Sequence, residues 1–124
     1  MANPGLIKTY DAGAAINPYT VVKFTTTDFQ VLQATASTEP LAGVTTEIAA
    51  ASGERVDVIH DGIAFVKAGG TIAAGDPLTT DSNGNAIKAA PATGVNANCF
   101  GRARYSAVSG DVFEALIDLF VLQG

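Results

Sequence analysis

Cysteine, tryptophan, histidine and basic charge are what this 124-residue sequence is short of, and each shortage removes a class of function. One cysteine cannot form a disulfide within the chain, so nothing covalent staples the fold; Cys99 reads as a small buried hydrophobe. One histidine means that any Ser-His-Asp arrangement has to use His60. Tryptophan is absent, and six Phe and three Tyr are the whole aromatic content, a poor supply for a sugar-stacking platform. Seven scattered Lys and Arg against twelve Asp and Glu give a net charge of −5. Affinity for a phosphate backbone needs clustered cations, so nucleic acid is not an expected partner. No stretch reaches the roughly 18 consecutive apolar residues of a membrane helix, and the N-terminus lacks the apolar segment of a secretion signal. Neither membrane nor export is expected.

What the chain does have is apolar residues and turns. Apolar types make up 48% of it and charged types 15%, a balance that buries a core rather than leaving a disordered chain. Val22 and Phe24 alternate with their neighbours, and the alternation resumes at Phe29 and Val31 after Thr25–Asp28, which predicts a hairpin. Asn83-Gly84 predicts a second one with a type I′ turn, and Asp61-Gly62 a third, between a Val56, Val58 strand and an Ile63, Phe65 strand. Gly69-Gly70, Gly75-Asp76 and Gly110-Asp111 add turns. The Ala-rich stretch around Ile48 is too short for a stable helix. The fold class is therefore all-β, or nearly so: a small sandwich or barrel-like domain.

The same phrase occurs twice. Gly43 to Ile59, GVTTEIAAASGERVDVI, and Gly101 to Ile117, GRARYSAVSGDVFEALI, share a leading Gly, a central Ser-Gly-acid and a trailing apolar alternation. Upstream, Ile16-Asn17-Pro18-Tyr19 aligns with Ile72-Ala73-Ala74-Gly75. The reading is two pseudo-symmetric β units, about 16–67 and 72–122, facing each other across a shared core within one domain, 16–124. Two copies are too few for a solenoid. Residues 1–15 precede the repeat and carry Leu6, Ile7 and Tyr10 where a disordered tail would be polar; they are expected to form an extended arm that contacts another surface by strand addition.

The last strand points outward as well as inward. From Val112 to Leu122 the odd positions Phe113, Ala115, Ile117, Leu119 and Val121 are apolar and predict a core face. The even positions still include Leu116, Phe120 and Leu122, more apolar surface than solvent calls for. These three are expected at a subunit interface of a homo-oligomer.

Signals for chemistry are weak. His60 reads as a strand-end histidine paired with Asp61 rather than as a general base. Gly70 and Gly75 have the spacing that opens a phosphate-binding loop, but Asp76 stands where its lysine belongs. Asp81, Asn83 and Asn85 suggest a calcium loop, yet its closing carboxylate position is Ala92. Most acids lie beside glycines in turns, where turn chemistry accounts for them. No catalytic residue, cofactor or metal is expected.

The segments VVKF, EPLAGVTTE, SGERVDVIHDGIAFVKAGGTIAAGDPLTTDSNGNAIKA and FGRARYSAVSGDVFEALIDL together resemble the capsid decoration, or cement, proteins of tailed bacteriophages and prophages, over Ile16 to Leu119. The marks are turn and core residues in fixed order: Gly43-Val44, Ser52-Gly53-Glu54, Ala74 to Leu78 and Ser109-Gly110-Asp111. The resemblance implies a non-enzymatic protein on the outside of the virion capsid. It would bind the major capsid protein of heads assembled in the bacterial host cytoplasm and clamp capsomers as a dimer or trimer. The alternative is a virion-displayed carbohydrate-binding or adhesin module with a groove lined by Tyr10, Tyr19 or Tyr105; a small hydrolase would need His60 or a carboxylate pair in a pocket.

Overall fold

The computed structural model describes residues 4–124, which form nine strands and, among the described residues, no helix: β1 (Pro4–Ala12), β2 (Val21–Phe24), β3 (Gln30–Gln33), β4 (Leu41–Thr45), β5 (Arg55–Lys67), β6 (Pro77–Thr80), β7 (Ala86–Lys88), β8 (Asn96–Ala103) and β9 (Val112–Gln123). The sheet order is β1-β3-β2-β4-β5-β9-β8-β6-β7, with a further β1–β5 pairing that closes the first five strands into a ring. Strands β5, β9, β8, β6 and β7 make a second ring, closed where Ala68, just past β5, bridges Ala86. Closure removes the exposed edges that an open sheet of short strands would leave.

The two rings are copies of one plan. Ala12, Ile16, Val22, Ala42, Val56 and Val58 fill the first. Ala68, Ile72, Leu78, Phe100, Phe113 and Ala115 fill the second, at offsets running from 56 (Ala12 to Ala68) to 58 (Ala42 to Phe100). Phe100 and Phe113 are at most 1% exposed, and sequestering rings of that size contributes about 3 kcal/mol each. Even the single bridges recur: Ile16 exchanges backbone hydrogen bonds with Ala50, and Ile72 with Ala107.

The repeated phrase is a turn device. At Ser52-Gly53-Glu54 the glutamate carboxylate accepts the Ala51 N–H at 2.6 Å, and at Ser109-Gly110-Asp111 the aspartate accepts the Val108 N–H at 3.1 Å. The glycine between them takes a positive φ, 84° and 94°, and its N–H ties the turn to the first strand of its ring through Ala12 O and Ala68 O. The leading glycines serve close approach. A Cβ at Gly43 would overlap the carbonyl oxygen of Ile59, and one at Gly101 that of Leu116.

Four sequence expectations need correction. Asp61-Gly62 is not a hairpin turn: β5 runs through it without a break. Gly62 (φ 99°) marks where the strand leaves β1, its antiparallel partner up to that point, and takes β9, with Gly62 opposite Ile117. The Asp-Gly signal is local, and long-range pairing overrides it. The N-terminal segment is not a free arm, because Lys8, Thr9, Tyr10 and Asp11 pair with Val58, Asp57, Val56 and Arg55 of the same chain. That pairing is matched in the second ring by Phe65 opposite Glu114 and Val66 opposite Phe113. The repeat therefore begins at β1, and β5 is shared: its first half ends one barrel and its second half begins the other. Third, the units do not face each other across one core. Each has its own, and Val21, Leu41, Val44 and Ile59, on the outside of the first barrel, pack onto the second. The β6–β7 hairpin forms as expected, but only Gly84 in its turn has positive φ, so the turn is not type I′, which needs two such residues.

Candidate functional site

His60 lies mid-strand, not at a strand end, and both its ring nitrogens are occupied within the chain. Nδ1 is 2.6 Å from the Ala42 carbonyl, which can only accept, so Nδ1 carries the proton. Nε2, 2.7 Å from the Tyr10 hydroxyl, then accepts from it. Phe24 stacks on the imidazole at 6.3 Å and Tyr10 meets it edge-on at 5.4 Å. This cluster ties β1 and β4 to β5 and leaves no nitrogen for a nucleophile; Asp61 takes no part in it. The other chemical candidates are turn builders. Asp76 accepts the Ala73 N–H at 2.9 Å, and Asp81 accepts the N–H groups of Asn83 and Asn85 at 2.8 and 2.9 Å. Among the described residues there is no group of three or more His, Cys, Asp or Glu placed to hold a metal.

Leu6, Ile7 and Tyr10 are separated by the fold. Leu6 and Ile7 are both exposed on the outside of the first barrel because the β1–β5 register shifts between them. Tyr10 turns inward onto the first core.

The last strand changes face partway. Phe113, Ala115 and Ile117 are buried as expected, but Leu119 (41%) and Val121 (57%) are exposed. Between the Gly101–Ile117 and Cys99–Phe120 pairs β9 advances three residues while β8 advances two. A one-residue slip exchanges the two faces of a strand. Phe120 and Leu122 consequently turn onto Ala89, Ala97 and Cys99 in a small satellite core. Leu116 stays 48% exposed. It edges a hollow of about 240 Å³ with Arg102, Asp118 and Phe120, where the Arg102 guanidinium lies 5.1 Å from the Phe120 ring centre. The predicted trio is thus split: Leu116 faces out, while Phe120 and Leu122 are half-buried. Past Ile117, β9 has β8 on one side and, among the described residues, no strand on the other.

The repeat gives this surface a meaning. Leu116 corresponds to Ile59, Arg102 to Val44 and Cys99 to Leu41. In the first barrel those positions are buried against the second. Among the described residues no barrel lies on the matching face of the second: Leu116 is exposed there, while Cys99 is covered by Phe120 and Leu122.

Of the three tyrosines offered for a groove, Tyr10 faces His60 and Tyr105 accepts the Glu114 N–H through its hydroxyl. Only Tyr19 lines the large cavity of about 550 Å³, which lies between the Asn17–Thr20 turn of one barrel and the β6–β7 hairpin of the other. Gln33 and Lys67 complete its wall with Asn83 and Asn85. Gln33 and Lys67 were not singled out in the sequence, and Asn83 and Asn85 entered only through the rejected calcium loop. A signal existed: Tyr19 aligns with Gly75, and both take positive φ, 56° and 86°. A tyrosine there costs about 1–2 kcal/mol that the glycine does not.

A family model described as phage cement protein matches residues 3–119. Among solved structures, the crystal structure of the N base of the head fiber gp8.5 in bacteriophage phi29 is similar at 23% identity and a TM-score of 0.69, covering 96% of this chain and 98% of that one; this likeness is one of fold. No curated protein matches the chain significantly.

Proposed function

Since the chain belongs to the phage cement protein family, we propose that it sits on the outer surface of the phage head, bound to the major capsid protein, and holds neighbouring capsomers together as a homo-oligomer. A capsid-associated structural role follows from the family. Bridging and self-association go further, and the observation that supports them is the unpartnered copy of the inter-barrel face around Leu116. The first barrel buries its version of that face against a neighbouring barrel of the same plan. The barrel that fits the second version is one from another copy of the chain, seated on Leu116, Leu119 and Val121, with Phe120 and Leu122 behind them. Three such side chains removed from water contribute about 1.5–3 kcal/mol each, enough to sustain a weak association but not an obligate one.

Leu6 and Ile7, exposed on β1 across β5 from the Ile117 region of β9, are the apolar side chains this reading offers to the capsid protein. Oligomerisation multiplies that contact, because after one subunit engages the shell the others bind as if intramolecularly. Binding only to the assembled shell stabilises it by mass action, and no bond need be made or broken.

The test is cryo-electron microscopy of heads with and without the chain, paired with thermal release of packaged DNA. Outer-surface density joining capsomers, and earlier release in its absence, are expected. Equal release temperatures with the density missing would remove the stabilising role.

A further inference from the structure

We propose that the cavity between the two barrels is a saccharide-binding site, a function separate from holding the shell together. Beside Pro18 and Thr20, whose hydroxyl donates to the Pro18 carbonyl, its lining is built of side chains whose polar atoms the fold does not use. Among the described residues, Asn17, Tyr19, Gln33, Lys67, Asn83 and Asn85 engage no partner through their side-chain polar atoms; where the chain uses these residues it uses their backbone, as in the Asn17 carbonyl that accepts from Thr45 and the Asn83 and Asn85 N–H groups given to Asp81. Four carboxamides, one phenol and one ammonium therefore converge on about 550 Å³, within the roughly 300–1,000 Å³ of small-molecule sites.

The chemistry of that set selects the ligand. No carboxylate lines the cavity, so it offers no hard-cation shell. A single lysine is too little for a polyphosphate, and the walls lack the apolar majority that an oily ligand needs. A carboxamide presents a donor and an acceptor side by side, the pattern that two neighbouring sugar hydroxyls answer. An aromatic ring beside such groups gives the C–H face of a pyranose something to lie on. Lys67 adds a seat for the carboxylate of an acidic sugar.

Backbone strain supports the same reading independently. Tyr19 holds φ at 56° where the sister barrel uses Gly75 at 86°. Its backbone groups are needed, since its N–H reaches Thr46 O and its carbonyl accepts from Lys67, but glycine would serve those bonds equally well. What tyrosine adds is the ring, which meets Phe65 edge-on at 6.3 Å and is only half-buried. Strain retained where a relaxed residue is available marks functional sites.

The experiment is a titration of the isotopically labelled full chain with glucose, galactose, N-acetylglucosamine and glucuronate, followed by amide chemical shifts. At least one sugar should move the amides of residues 17–20, 33, 67 and 83–85 with roughly millimolar affinity. Tyr19→Gly should weaken that sugar about tenfold, the worth of one stacked ring, without lowering Tm, and Asn85→Ala should weaken it too. If none of the sugars moves these amides, or if both variants bind as tightly as the parent, the proposal is wrong. So is it if Tyr19→Gly loses binding only by unfolding while Asn85→Ala leaves affinity unchanged. Head occupancy of Tyr19→Gly should equal the parent's, which separates this result from any failure of the cement role.

Discussion

Gly101→Ala tests whether the two-barrel plan rests on close approach of backbones. A Cβ at Gly101 would overlap the Leu116 carbonyl oxygen and stand 3.0 Å from its carbonyl carbon and 3.2 Å from Ile117 Cα. All three are backbone atoms of β9, so no side chain can swing away. Relief requires the strands to part by on the order of 1 Å at the Gly101–Ile117 pair, which weakens two ladder hydrogen bonds at about 0.5–1.5 kcal/mol each and loosens the packing of Phe100 and Phe113 beneath them. With overpacking itself at about 1–3 kcal/mol, the expected loss is about 3 kcal/mol, a large fraction of the roughly 5–15 kcal/mol of a typical domain. Gly110→Ala is the control: nothing lies within 4 Å of its Cβ, and the cost there comes from φ 94° alone, about 1–2 kcal/mol. The gain from stiffening the unfolded chain is common to both and cancels in the comparison. Urea denaturation at 25 °C measures each. If Gly101→Ala costs no more than Gly110→Ala, the backbone contact does not constrain the barrel and the argument fails. Gly43→Ala, which meets the Ile59 carbonyl in the same way, should repeat the result in the first barrel.

Acid should weaken the protein through Glu39. Burial raises its carboxyl, but the Lys23 ammonium, the Thr35 and Ala36 N–H groups and the Thr35 hydroxyl outweigh that and lower it from 4.5 to about 2. The lowered value means a contribution that is complete above pH 4.5 and lost as pH falls toward 2, on the order of 3 kcal/mol; a Glu39→Gln variant should be less stable at pH 7 and flatter across that window in denaturant titrations. Phe29, 77% exposed at φ 62° in the β2–β3 turn, should gain about 0.5–1 kcal/mol in thermal unfolding when changed to Asn, which tolerates that conformation. Leu119→Asp with Val121→Asp should leave monomer stability within about 0.5 kcal/mol and lower the mass seen by light scattering; an unchanged mass would refute the subunit contact proposed on this strand.

The repeat was legible because its marks are short-range: Gly-acid turns, alternation and leading glycines are fixed by local backbone demands. What the sequence hid depends on pairing partners. Asp61-Gly62 carries a real bend, but whether a bend reverses the chain or passes it to a new neighbour is decided by β1 and β9, residues about fifty positions away in either direction. The same distance separates Tyr10 from His60, so their hydrogen bond could not be read from either. On β9 the alternation was read correctly to Ile117 and inverted after it, because the extra residue that flips the faces is visible only against β8. The face around Leu116 was readable as surplus apolar surface; its likeness to the buried face around Ile59 needed both barrels.

Sharing β5 explains why the repeat offset drifts and why the molecule has unequal ends. A strand that closes one barrel with its first half and opens the next with its second fixes the two barrels by continuous backbone, without a linker whose length could vary. The loops between strands are then the places where residues can be gained or lost, and there the offset moves from 56 to 58. The same plan applied to β9 gives a strand whose first half closes the second barrel and whose second half, among the described residues, pairs with β8 alone. In β5 the corresponding half carries Ala64 and Val66 into a core. In β9 it carries Leu119 and Val121 into solvent, with Phe120 and Leu122 turned back onto Cys99. On the reading proposed above, a second copy would dock on the exposed Leu116, Leu119 and Val121 of this strand.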